Sequence, residues 1–343
     1  MATKWIYALE DLDQQHIELV GRKCAHLGEM TRLGMKVPPG FAISVDGFGK
    51  YMHETGLAPR IAEYFASLGD ALRKSIQVQM DASRAVKEMM AATPLPAAVA
   101  DGIAQAYQAL CDRFGEPDMP VAVRSSGAVS MPGQMETYLH IRGAAEVARR
   151  VVEVWESTFN TRAIAFRLEK GMPVDMAPIG VAVIRMVNAK AAGVVLTVIP
   201  TTGDTDHAVI EGNWGLGESV VSGDITPDVF VVDKSSRVIE KTVNRKTKWV
   251  VSIGRGTAKA DVPAHLQTVP CLEDREIHEL LRVALDVERH FGVPQDMEWV
   301  IDHDLPFPDS VIWVQCRAAK FTPKRQDADA DYIVDQMAQL FRR

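Results

Sequence analysis

The sequence has few cysteines, no long apolar run and no excess of basic charge. Its four cysteines, Cys24, Cys111, Cys271 and Cys316, stand far apart, so there is no C-x-x-C metal or redox signature. The longest apolar stretch, around residues 191–199, is far too short to span a bilayer. Residues 1–10 hold no apolar signal region with a basic flank. These absences predict a cytoplasmic chain in a reducing compartment, with no membrane partner. Lys and Arg total 38 against 45 Asp and Glu, a net charge of −7. A mildly acidic chain is a poor general polyanion binder, so no nucleic-acid partner is expected, although a locally basic pocket for a small phosphate ligand fits this balance. The P-loop ending Gly-Lys-Ser/Thr and the Rossmann G-x-G-x-x-G are both missing.

What is present is an ordinary globular composition over 343 residues, 47% hydrophobic and 24% charged. At ~150 residues per domain this is two domains or one two-lobed unit. A helix is predicted over 22–33, with Ala25, Leu27, Met30 and Leu33 on its buried stripe and Gly34 ending it. Residues 46–115 and 144–168 are helical in composition. From Ile179 the pattern turns to strands: 180–186, 192–199 and 208–211, then a glycine-rich loop over 212–218 and a meander over 229–232, 238–243 and 249–253. A helix over 273–291 precedes a closing hairpin of 297–301 and 311–317. The tail, 322–343, ends in a short amphipathic helix carrying Ile333, Met337, Leu340 and Phe341, either a cap on the fold or a dock for a partner. The fold class is α+β, helix-rich first and strand-rich second.

Four constellations carry chemistry. In the closing hairpin, alternation puts Asp296, Glu298 and Val300 on one face of the first strand, and Trp313, Gln315 and Arg317 on one face of the second. A carboxylate, an amide oxygen and a guanidinium then converge, which suits Mg²⁺ and phosphate, although a solvated polar face produces the same pattern. Residues 212–228 hold G-L-G-E followed by V-V-S-G-D-I-T-P-D, a ligand loop or a plain turn cluster. Residues 124–137 bring an arginine into a small-residue loop suited to oxyanions, or to a flexible surface. Lys23 sits near a helix N-terminus, where anions are favoured, although most lysines are simply solvated.

Together and in this order, these segments resemble the nucleotide-binding domain of the PEP synthase and pyruvate phosphate dikinase family, an ATP-grasp relative. Gly21-Arg22-Lys23-Cys24-Ala25-His26-Leu27-Gly28-Glu29-Met30 resembles its G-G-K-x-A-x-L-G-E-M, and 37–41 resembles V-P-P-G-F. Val123-Arg124-Ser125 matches V-R-S, and 133–139 matches G-Q-x-E-T-Y-L. Residues 215–228 match G-L-G-E-x-V-V-x-G-x-x-x-P-D, 296–299 match D-x-E-W, and 315–317 match the start of Q-x-R-P. The likeness covers roughly residues 15–320.

The resemblance implies a two-lobed ATP-grasp fold with lobes at 1–190 and 191–321, and ATP and Mg²⁺ as ligands. Lys23 and Arg124 would contact the phosphates. Gly133, Gln134 and Thr137 would line the phosphate loop, and Glu218 the glycine-rich loop. Glu298 and Gln315 would hold Mg²⁺, and Arg317 the transferring phosphoryl group. Departures stand at Arg22, Asn244, Ala318 and Ile184, the last where a glutamine often lies near the nucleotide base. None of the nine histidines has the family's T-x-x-G-G-x-x-x-H context. The expectation is therefore a phosphotransferase subunit that phosphorylates a histidine on a separate partner subunit. The arrangement resembles a divided family member that makes phenylphosphate from phenol, ATP and water, with AMP and phosphate released and water as the second acceptor. Pyruvate, another aromatic alcohol and an antibiotic hydroxyl are alternative acceptors, and a non-catalytic nucleotide-sensing module is the alternative of another kind.

Overall fold

The computed structural model describes residues 4–129, 135–223 and 225–321. The predicted tail helix lies outside them. The first lobe holds β1 (Ile6–Ala8), α1 (Ile17–Arg32), β2 (Gly40–Ile43), α2 (Val45–Glu54), α3 (Leu57–Leu68), α4 (Ala71–Lys74), α5 (Ile76–Ala91), α6 (Ala97–Phe114), β3 (Val121–Ser126), β4 (Thr137–Ile141), α7 (Ala144–Ser157), α8 (Thr161–Glu169) and β5 (Gly180–Arg185). Its strands form one antiparallel sheet in the order β1-β2-β5-β3-β4. Strand alternation divides the core in two. Phe41, Ile43, Val121, Val123, Val181 and Val183 point into the helical layer, where they meet Phe48, Ile61, Val86, Trp155 and Phe159. Ala42, Ala122, Ala182 and Ile184 point the other way, and these small side chains let α1 lie close to the sheet.

The second lobe holds β6 (Ala189–Leu196), β7 (His207–Trp214), α9 (Glu218–Val221), β8 (Asp228–Asp233), β9 (Ile239–Thr242), β10 (Lys248–Ser252), β11 (Thr257–Asp261), α10 (Asp274–Phe291), β12 (Gln295–Asp302) and β13 (Val311–Ala318). Six strands form an antiparallel sheet in the order β13-β12-β6-β7-β8-β9, and β10 and β11 form a separate ribbon. One sheet face packs Met297, Trp299, Ile301 and Trp313 against Ile277, Leu280, Leu281 and Ala284 of α10. The opposite face looks toward the first lobe. The mixed α+β, ATP-grasp-like architecture agrees with expectation.

Several local expectations change. The helix predicted over 144–168 is two, because the Ser157 and Thr158 hydroxyls donate to Val154 and Trp155 carbonyls, both at 2.7 Å, and close α7. The segment predicted over 249–253 leaves the meander and pairs with β11, a strand that alternation did not signal. Strand β7 runs on through Trp214, so Gly212 belongs to the strand and not to the loop. A Cβ at Gly212 would lie 2.8 Å from the Trp299 ring, so this glycine makes room for an indole. Trp313 changes face. The β12–β13 register shifts between Glu298 and Trp299, pairing Glu298 with Gln315 but Trp299 with Trp313. Val314 is the extra residue of a β-bulge, and it turns Trp313 into the core while Gln315 and Arg317 stay with Glu298.

Candidate functional site

Two elements of the first lobe place cationic side chains at the cleft. Gly21 has φ +78, which interrupts α1 and makes Arg22 the start of a fresh helical run. A Cβ at Gly21 would stand 1.9 Å from the Ser126 carbonyl oxygen, so the helix start lies directly on the end of β3. The Cys24 N–H donates to Ser126 Oγ at 3.0 Å, and the Arg22 N–H donates to the Gly127 carbonyl at 3.0 Å. Lys23 thus sits in the first turn of the renewed helix, half-buried, beside Arg124 of β3.

The second lobe meets them with β12 and β13. Arg124 Nη2 donates to Glu298 Oε2 at 2.9 Å and to Gln315 Oε1 at 3.4 Å. Arg124 Nη1 donates to the Val314 carbonyl at 3.2 Å, the carbonyl of the bulged residue. Arg124 Nε is buried without a hydrogen-bond partner among the described residues. Arg317 makes a forked pair with Asp296 Oδ2, Nε at 2.9 Å and Nη2 at 2.8 Å. Burial pulls Lys23 down to about 8 from the ordinary lysine value of 10.5; the positive charges of Arg124 and Arg317 push the same way, and Glu298 opposes them. Each arginine therefore has a carboxylate partner in an ion pair, while Lys23 has no ion pair among the described residues and shares the field of Glu298 with Arg124.

Along the same sheet face, Ala192, Val300 and Ile312 form a small apolar cluster with Val187, Ala189 and Val314 packed on it. A cavity of about 440 Å³ runs beside it, lined by Met186, Val187, His140, Arg185 and Ile312 among others. The tip of the β10–β11 ribbon reaches across to the first lobe, where the Gly256 N–H donates to the His140 carbonyl at 3.1 Å. Charged groups, among them Lys36, Glu116, Arg142, Arg185 and Asp302, line this cavity together with Met186, Val187 and Ile312, and the Arg124–Glu298–Gln315 cluster lies outside its lining.

The oxygen pair fits a hard divalent cation, since Glu298 and Gln315 both accept from one nitrogen and so aim at one point. No cluster of three or more His, Cys, Asp and Glu among the described residues forms a metal cage. Mg²⁺ does not require one, because it binds through one or two carboxylates together with substrate phosphates.

The model of the pyruvate phosphate dikinase AMP/ATP-binding domain matches residues 17–337. The chain belongs to this family. It is 38% identical over 305 residues to a probable phosphoenolpyruvate synthase of Methanothermobacter thermautotrophicus, covering 87% of this chain and 44% of that protein. It is 33% identical over 363 residues to a phosphoenolpyruvate synthase of Aeropyrum pernix, covering 96% of this chain and 44% of that protein. A probable phosphoenolpyruvate synthase of Methanocaldococcus jannaschii is 35% identical, covering 87% and 26% respectively. The chain spans less than half the length of these relatives.

In this dikinase-type ATP-binding domain, then, Lys23, Arg124, Glu298, Gln315 and Arg317 converge. Thr137 lies directly across the β3–β4 ladder from Arg124 and is exposed. Glu218 opens the short α9, also exposed, on a loop whose Gly217 lies over Ala192. Gly133 and Gln134 lie outside the described residues. Ile184 is 3% exposed and packs in the core with α1, so the position expected near a nucleotide base has become a core position. Sequence reading gave Asp296 no role, although it shared a face with Glu298. It missed the Val314 carbonyl entirely, because a bulge leaves no mark in a two-residue alternation. Asp228, the end of the G-L-G-E motif segment, is a structural anchor: its carboxylate, fully buried, takes the Lys246 ammonium at 2.7 Å and the backbone N–H groups of Asn244 and Cys271, both at 2.9 Å.

Proposed function

We propose that the cleft binds MgATP and that the chain passes a phosphoryl group from it to a histidine on a separate partner polypeptide. The convergence of Lys23, Arg124 and Arg317 with the oxygen pair of Glu298 and Gln315 carries this reading. In it, the base rests on Ala192, Val300 and Ile312, and the phosphates extend toward the cations. Lys23 and Arg124 neutralise phosphate oxygens. Arg317, oriented by Asp296, follows the charge that spreads over the transferring group. Bound Mg²⁺ would add charge neutralisation and alignment, with Glu298 and Gln315 holding it. Gly133, Gln134, Thr137 and Glu218 complete the nucleotide set, and the lobes divide just before β6, close to the 190/191 boundary expected from the sequence. The chain supplies no nucleophile, because the incoming histidine is one.

The sequence resemblance further suggests the ATP-binding subunit of a cytoplasmic phenylphosphate synthase, with phenol as final acceptor and AMP and phosphate as products. The names of the relatives support pyruvate as the second reading. One experiment separates these: incubate the chain with MgATP and its histidine-bearing partner, assay acid-labile phosphohistidine, then offer phenol and pyruvate in turn. Label on a partner histidine that discharges to phenol supports the first reading, and discharge to pyruvate the second. No label on any histidine overturns the phosphotransfer reading.

A further inference from the structure

One nitrogen, Arg124 Nη2, stands at the point on which Glu298 Oε2 and Gln315 Oε1 converge, at 2.9 and 3.4 Å. A divalent ion would draw the same two oxygens to roughly 2.0–2.1 Å, and a guanidinium and a metal cannot share that space. The pair is sheltered, with Arg124 14% and Glu298 17% exposed, so solvent and salt screen it less than a surface ion pair. Glu298 therefore already has a counter-charge. Arg124 itself is not fully satisfied there, since its Nε is buried without a hydrogen-bond partner among the described residues. Its second anchor, the Val314 carbonyl, is a neutral acceptor turned toward it by the bulge. The neighbouring Lys23 feels the same Glu298 carboxylate together with the positive charges of Arg124 and Arg317, so three cations share this spot and the local field draws anions to it.

We propose that Arg124 is a placeholder cation: it blocks the metal position in the empty cleft and gives it up when nucleotide phosphates draw the guanidinium away. This rests on the reading of Glu298 and Gln315 as metal ligands. The exchange conserves charge. Arg124 leaves one anion for another, and Glu298 trades a guanidinium for a divalent ion. Metal then enters with the nucleotide and not before it. The empty protein keeps its carboxylate neutralised and does not accumulate divalent ions unproductively. Because Arg124 belongs to the first lobe and its partners to the second, the same exchange releases a direct tie between the lobes.

The test is Mn²⁺ binding to the nucleotide-free chain, read from the loss of the free-ion electron paramagnetic resonance signal. Wild type should bind Mn²⁺ at this site at least tenfold more weakly than Arg124→Met, which keeps an unbranched stem and removes the guanidinium and its charge. Arg124→Ala is the second variant, and circular dichroism confirms the fold of each. Adding Glu298→Ala to Arg124→Met should abolish the gain. Equal Mn²⁺ affinity in wild type and in a folded Arg124 variant overturns the placeholder. Failure of the underlying reading looks different: Mn²⁺ together with a non-hydrolysable ATP analogue would then give identical spectra in wild type and Glu298→Ala.

Discussion

Lys23 carries its charge to a cleft that already holds two guanidinium groups, and burial lowers its pKa to about 8. Its ammonium is fully present below that value and is lost as pH rises through it, so nucleotide affinity should fall as pH rises through about 8. Arriving phosphates favour the ammonium, so binding between pH 8 and 9 should take up a proton. Calorimetry in two buffers of different ionisation enthalpy measures that uptake. The linkage to stability has the opposite sense from an ordinary salt bridge. Between about 8 and 10.5 the unfolded chain holds the proton and the folded chain does not, so stability grows with pH over that window. Lys23→Met should accordingly raise the melting midpoint by roughly 2–4 °C while abolishing nucleotide binding. Asp296 acts through Arg317, which it holds by two nitrogens. Asp296→Asn should leave ATP affinity within about twofold and lower phosphotransfer by roughly tenfold or more, a kcat effect with little change in KM.

Helix α1 and strand β13 show why some of the site was legible and some was not. The glycine before Lys23 is visible in the sequence, and its purpose follows from the close approach to Ser126. Gly21→Ala should cost about 2–3 kcal/mol in urea unfolding, since it meets both a backbone clash and a positive φ. Lys23 beside a helix start and the Asp296–Glu298 face were likewise legible, because helix punctuation and strand alternation are local. The bulge at Val314 was not. Strict alternation put Trp313 on the site face, and only the cross-strand register shows that the chain spends an extra residue there. The bulge keeps two bulky indoles in the core and the polar pair at the cleft. Gly212 was misread for a related reason: the neighbour that demands a glycine, Trp299, is 87 residues away, from 212 to 299 in the sequence.

Arg124, the Gly256–His140 hydrogen bond and α1 all tie the first lobe to the second, α1 through His26 and the Cys316 carbonyl at 2.9 Å. The second lobe is braced behind its glycine-rich loop by Asp228 and Lys246, both fully buried. Asp228→Ala would strand the Lys246 charge and free two backbone N–H groups, and should destabilise the chain by about 3–5 kcal/mol, measured by denaturant unfolding. Motif order could be read from sequence, but the apolar cluster proposed to receive the base could not, because Ala192, Val300 and Ile312 come from three strands and look like ordinary core. In the proposed site, phosphates and metal meet where the lobes meet. The most direct test is a crystal structure with Mn²⁺ and a non-hydrolysable ATP analogue, with the metal located by anomalous scattering. The expected result is a manganese peak about 2.1 Å from oxygens of Glu298 and Gln315, with the phosphates against Lys23 and Arg124. A nucleotide bound elsewhere, or a metal held by neither residue, would contradict it.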